Sequence, residues 1–119
     1  MNVEQYSNAR DFLSHAGKYL SRDEARYGLI LGLARVVEIN PHRFGKEKPW
    51  FCSVVTQKEL KAVAMRTPPF YVLLSYFSGD MNSIAEYLLT AVSEKYNLIP
   101  GVVGDKELAD LFATPFPIP

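Results

Sequence analysis

Cysteine occurs once in this sequence and histidine twice. A single thiol, Cys52, permits no intrachain disulfide and no cysteine metal cluster. Its neighbours, Phe51 and Ser53-Val54-Val55, read as a strand, so the expectation is a buried, inert thiol. His15 and His42 fall in different elements, with no cysteine or acid at a ligand spacing, which argues against a metal site. Net charge is also missing: thirteen basic residues cancel thirteen acidic ones. Nothing global therefore drives the chain onto nucleic acid or an anionic membrane. No window approaches the roughly 18 apolar residues of a membrane span. The opening "MNVEQYSNARDF" has no apolar core after a basic start, so no signal peptide is expected and the cytoplasm is the default location.

What is present is the composition of a globular domain, 48% apolar and 22% charged. The 119 residues suit one domain with one ordinary core. Ser7 is placed to cap a helix beginning at Asn8, with Asp11 in its first turn. Phe12, Ala16, Tyr19 and Leu20 then share one side. Ser21 and Glu24 have the spacing of a capping box for a second helix. Ala25, Leu29, Gly32-Leu33 and Val36-Val37 continue it to Asn40-Pro41, where proline disfavours the helical conformation. The apolar run Leu29 to Leu33 predicts a well-buried helix, and Gly28 and Gly32 predict a smooth face open to close approach.

"NPHRFGKEKPW" reads as a loop, after which the period becomes two. Trp50, Cys52 and Val54 alternate with Phe51, Ser53 and Val55. Leu60, Ala62 and Ala64 alternate with Val63 and Met65. A hairpin through Thr56–Glu59 is expected, with no Asn-Gly or Asp-Gly to fix its turn type. Phe70 to Tyr76 reads as an internal strand, apolar on both faces. Asp80 or Ser78 is placed to cap a helix carrying Met81, Ile84-Ala85, Leu88-Leu89 and Val92. "LIPGVVGD" predicts a short strand, and Asp105 a cap for a last helix through Leu108, Leu111 and Phe112. Residues 113–119 close the chain as an irregular tail.

The order α-α-β-β-β-α-β-α predicts an α+β fold. Its mixed, mainly antiparallel sheet carries helices on both faces, a three-layer α/β/α arrangement. Between the second and third strands stands "MRTPPF". Pro68 and Pro69 cannot donate to a ladder and Pro68 holds Thr67 extended, so a rigid corner is expected there with Arg66 at its edge. "PGVVGDKEL" has glycines before a helix, but the Asp105 carboxylate would fill the helix N-terminus that an anion needs. It reads as a structural turn. The many tyrosines and phenylalanines fall mostly on presumed core positions.

Three phrases, "FLSHAGKYLSRDEARYGLILGLARVVEINPHRFG", "VAMRTPPFYVLLS" and "LIPGVVGDKELADLFA", together resemble the N-terminal region of a subgroup of GNAT-superfamily acyl-CoA N-acyltransferases. The shared pattern is Asn40-Pro41, Arg66-Thr67-Pro68-Pro69 and Ile99-Pro100-Gly101-Val102-Val103-Gly104, with Ile99 where the subgroup usually has leucine. The resemblance implies a leading domain, residues 1–119, placed before the segment that binds acetyl-CoA. It also implies transfer of an acetyl group to an amine by the full-length protein. The superfamily's Gln/Arg-x-x-Gly-x-Gly/Ala cradle for pyrophosphate is absent. Its nearest string, "LILGLA" (Leu29 to Ala34), lacks the leading Gln or Arg and lies within a helix. The expectation is therefore a chain that binds no acetyl-CoA and transfers nothing alone. Arg66, Thr67 and Tyr71 beside the proline corner are the candidate substrate-cleft residues, and no catalytic, cofactor-binding or metal-binding residue is assigned. The missing C-terminal GNAT domain is the partner this reading implies; the alternative is a non-enzymatic interaction or dimerisation module whose unpaired sheet edge recruits another strand or a second copy.

Overall fold

The computed structural model describes residues 1–113. It is a mixed α+β fold, and its first element is one the residue pattern does not announce. Strand β1 (Asn2–Tyr6) leads into helix α1 (Ala9–Leu20) and helix α2 (Glu24–Ile39). Strands β2 (Trp50–Thr56), β3 (Glu59–Arg66) and β4 (Val72–Tyr76) follow, then helix α3 (Met81–Lys95), strand β5 (Val102–Val103) and helix α4 (Lys106–Ala113). The sheet order is β1-β2-β3-β4-β5. The first four strands pair antiparallel, and β5 joins β4 in parallel after the α3 crossover.

Two apolar layers sandwich the sheet. Phe12, Leu20, Ile30, Ala34 and Val37 of α1 and α2 pack on Phe51, Val63, Met65 and Leu73. Ile84, Leu88, Val92, Leu108 and Phe112 of α3 and α4 pack on Trp50, Cys52, Val54, Ala64 and Leu74. Central strands β2 to β4 are covered on both faces, which is why they read as nearly continuous apolar runs. Phe12 stacks on Phe51 with centroids 4.7 Å apart and neither ring exposed. Truncating either to alanine would cost about 3–5 kcal/mol.

Strand β1 escapes the sequence pattern because Val3 packs toward α3 while Tyr6 packs toward α1. Their odd spacing hides any period of two. Tertiary pairs hold it: the Tyr6 hydroxyl lies 2.8 Å from Ser53 Oγ, and Trp50 Nε1 donates to Gln5 Oε1 at 3.1 Å.

Several boundaries also differ. The cap of α1 is Asn8, whose Oδ1 accepts the Asp11 N–H at 2.8 Å, not Ser7. Ser21 closes α1 at its C-terminus, and Asp23 caps α2 by accepting from Arg26 N. The expected Ser21–Glu24 box does not form. Helix α2 buries Tyr27, Ile30, Leu31, Ala34 and Val37, whereas Ala25 is exposed and Leu29 is 55% exposed. Its buried face is thus rotated from the predicted one. Nothing lies within 4 Å of a Cβ built at Gly28 or Gly32, so the small-residue face is not a contact within the chain.

Leu60 changes sides as well. Opposite Val54 and Val55 the register moves from Ala62 to Leu60, so Lys61 is an inserted bulge residue. Leu60 consequently joins Val63 and Met65 rather than Ala62 and Ala64. The Lys61 carbonyl accepts the N–H groups of Phe77 and Ser78, and the Tyr19 hydroxyl accepts the Leu60 N–H. Of the tail expected at 113–119, Ala113 belongs to α4 and the remainder lies outside the described residues.

Candidate functional site

The proline corner joins β3 to β4. Strand β3 ends at Arg66, and Phe70 N donates to Thr67 O at 2.9 Å, closing a four-residue turn around Pro68-Pro69, whose peptide bond is cis. The hydrogen bond to Thr67 commits the Phe70 N–H, so β4 begins only at Val72 and the expected strand is two residues shorter. Phe70 and Tyr71 emerge 54% and 51% exposed, contrary to the internal strand positions predicted for them. The 40–49 loop closes over the corner. A Cβ at Gly45 would lie 2.5 Å from the Pro68 carbonyl oxygen, so only glycine permits this approach.

Strand alternation sends the three candidate residues to opposite sides of the sheet. Thr67 and Tyr71 line an apolar hollow of about 340 Å³ facing α2, with Leu29, Leu33, Phe44, Phe70, Leu73 and Val103. Phe44 meets Phe70 edge to face at 6.3 Å. Gly101 passes beneath the Tyr71 ring, 3.6 Å from where a Cβ would sit. This hollow holds no charged side chain, and its only polar side-chain groups are the Thr67 and Tyr71 hydroxyls, so it suits packing against apolar surface.

Arg66 faces the other way. Together with Gly45, Lys46, Glu47, Pro68, Pro69 and Tyr96 it lines a polar pocket of about 270 Å³. Its side chain braces the corner, Nε donating to Phe70 O at 2.8 Å and Nη2 to Pro69 O at 3.4 Å. Cζ lies 4.3 Å from the centroid of the Tyr96 ring, whose edge in turn meets Trp50. Arg66 is only 7% exposed. Among the described residues no carboxylate lies within ion-pair distance of it. The buried Tyr96 hydroxyl makes no hydrogen bond of good geometry, and the Arg66 guanidinium is the nearby donor group that favours its ionised form. Burial raises its pKa above the ordinary tyrosine value, opposed by the nearby Arg66 charge and assisted by Glu47. Spacing along the chain gives no sign of Lys46, Glu47 or Tyr96 as neighbours of Arg66, because a loop and a helix end deliver them.

The ends of the parallel pair matter for any anionic cofactor, since β4 and β5 both point at helix N-termini. Asp80 caps α3, its Oδ2 accepting the Ser83 hydroxyl at 2.6 Å and the Ser83 N–H at 3.1 Å. These bonds hold its carboxyl below the usual carboxylate range, the hydroxyl contributing most. Asp105 stands before α4 as predicted, but its carboxylate does not bond its own helix. It accepts from Arg26 Nε at 3.0 Å and from Tyr76 N at 3.2 Å. Both junctions thus carry a carboxylate, the one before α4 already paired with Arg26.

The remaining candidates are quiet. Cys52 is fully buried and its thiol pKa is pushed far up by burial. His15 and His42 are exposed. No group of three His, Cys, Asp or Glu residues is placed to hold a metal among the described residues, and no described helix is long and apolar enough to cross a membrane. Comparison with family models, curated proteins and solved structures finds no match to this chain.

Proposed function

We propose that these residues form the leading, non-catalytic domain of a GNAT-like N-acetyltransferase, with acetyl-CoA held by another segment of the full-length protein. The single observation that carries this reading is the pair of aspartates at the parallel-strand ends. A diphosphate needs uncommitted N–H groups at a helix N-terminus. Here the Asp80 carboxylate takes a first-turn N–H of α3. At α4 the Asp105 carboxylate, bonded to Arg26 and Tyr76 and not to its helix, stands before the N-terminus where an anion would sit. The three phrases behind the resemblance also sit at junctions: Asn40-Pro41 ends α2, Arg66–Pro69 leaves β3, and Ile99–Gly104 brackets β5. Isothermal titration of the 119-residue chain with acetyl-CoA tests the reading. No saturable heat is expected through the high-micromolar range, and micromolar binding to a single copy would overturn it.

A second reading, a docking or dimerisation module, is favoured by a different observation. Leu29, Val36, Ile39, Phe70, Tyr71 and Val103 are 39% exposed or more, on α2 and around the apolar hollow beside it. Such faces mark contacts with other protein surfaces. Light scattering of the purified chain discriminates: a dimer that Leu29→Asp returns to monomer supports this reading, and a monomer at millimolar concentration removes the self-association version.

A further inference from the structure

Arg66 carries a permanent charge on a residue only 7% exposed, with no acidic side chain within ion-pair distance among the described residues. Leaving such a charge uncompensated is expensive, and proteins ordinarily supply an anion or a carboxylate to it. Arginine offers five N–H donors. Two are spent on the carbonyls of Phe70 and Pro69, so the guanidinium keeps donors in hand beside the 270 Å³ pocket it lines. The bonds to Phe70 O and Pro69 O, with Tyr96 packed 4.3 Å from Cζ, hold the guanidinium in place, and its remaining donors suit recognition of an oxyanion. Lys46, exposed and without an ion-pair partner among the described residues, stands on the same wall.

We propose that this pocket is a binding site for a small carboxylate that also carries an amine, of the amino-acid class. The carboxylate meets Arg66 with Lys46 beside it, and the amine meets Glu47, the one acidic residue of the lining. Glu47 argues against a dianion such as phosphate, since two negative charges would face a third. The volume suits a ligand of a few heavy atoms, below the range of drug-sized pockets. The buried wall comes from the corner itself. Gly45 packs the loop onto Pro68, which brings Lys46 and Glu47 to the same pocket that Arg66 lines. This inference does not depend on the acyltransferase reading.

NMR titration of the 119-residue chain at constant ionic strength tests the proposal, with glycine added at fixed chloride and with acetate or phosphate replacing chloride. The Arg66 Nε–H resonance and the amides of residues 45–47 are the reporters. Saturable shifts from glycine and acetate are expected, with glycine the tighter and Kd on the order of millimolar. Glu47→Gln erases the preference for glycine. Lys46→Gln weakens both about two- to fivefold, while Lys58→Gln, on the hairpin, changes neither. Arg66→Lys weakens both about tenfold or more, because the ammonium lacks the planar fork. Should Arg66→Lys lose native dispersion, the exposed Lys46 and Glu47 variants decide alone. Absence of saturable shifts below ~100 mM ligand, shifts indifferent to both the Lys46 and Glu47 variants, or phosphate binding tighter than either carboxylate overturns the proposal.

Discussion

Asp105 and Arg26, 79 positions apart, meet at 3.0 Å, and the same carboxylate accepts the Tyr76 N–H at the end of β4. One side chain thereby ties α2, β4 and the start of α4 together. The two bonds differ in worth. Arg26 is half exposed and its pair with Asp105 is screened by water, whereas the aspartate is only 20% exposed. Asp105→Ala is expected to destabilise by about 1.5–3 kcal/mol, since an N–H bonded to a charged acceptor loses its partner. Arg26→Ala should cost about 0.5 kcal/mol or less. Urea unfolding of both variants checks this. Equal losses would mean the ion pair, not the backbone bond, matters.

The glycines separate in the same way. Gly32 is exposed in the middle of α2, with nothing within 4 Å of a built Cβ. Gly32→Ala should stabilise the monomer by about 0.5–1 kcal/mol through helix propensity. At Gly104 a Cβ would lie 2.5 Å from the Leu74 carbonyl oxygen and 2.9 Å from Leu74 Cβ. Gly104→Ala should therefore force β5 away from β4 and cost about 2 kcal/mol or more. Thermal denaturation of the two variants should show shifts of opposite sign. If Gly32→Ala instead weakens self-association, the α2 face is a contact between copies.

Which parts of this architecture can be read from the residues follows from where the information sits. Helices α1 and α3 are legible because each buries a single stripe. For α1 the buried Phe12, Ala16, Tyr19 and Leu20 are the predicted ones. Helix α2 is legible in position but not in rotation, because apolar residues surround it and only the sheet decides which of them face inward. Leu29 and Ile39 are exposed while Ala34 is buried. The α+β layering follows from the change of period at Trp50. Strand β1 and the Lys61 bulge do not, since both depend on partners far along the chain. The corner at Pro68-Pro69 is legible as a break in hydrogen bonding. That it splits Arg66 from Thr67 and Tyr71 follows from strand alternation, while the companions of Arg66 arrive through a loop and the end of α3.

The β2–β3 turn gives a third prediction. Gln57 and Lys58 both adopt positive φ, 52° and 66°, which is the two-residue turn suited to the twist of antiparallel strands. Neither side chain favours that region. The double substitution Gln57→Asn with Lys58→Gly supplies the residue pair this turn prefers and should stabilise the fold by about 1 kcal/mol. The gain should appear as a higher urea midpoint with an unchanged slope. A loss would mean that the side chains of Gln57 or Lys58 contribute more than their backbone costs.

Alkaline titration addresses the core directly. Burial raises the Cys52 thiol far above its ordinary 9.0, so it stays protonated in the folded chain while the unfolded chain ionises near that value. The unfolded state then binds fewer protons, and stability must fall as pH rises. The effect is absent below about pH 8 and reaches about 1.4 kcal/mol per pH unit above the unfolded thiol's midpoint. Tyr6 and Tyr96, raised chiefly by burial, add to the slope above the ordinary tyrosine value of 10.0. Cys52→Ala should remove the part that begins near pH 9 and leave the tyrosine part intact. It should also cost stability at neutral pH through the vacated volume, about 1 kcal/mol at this small side chain. Urea midpoints of both proteins between about pH 7 and pH 10 separate the two effects, because the cavity cost is constant and the thiol contribution is not. Parallel curves would place the thiol in contact with water, and native-state alkylation at a rate independent of unfolding would agree with them.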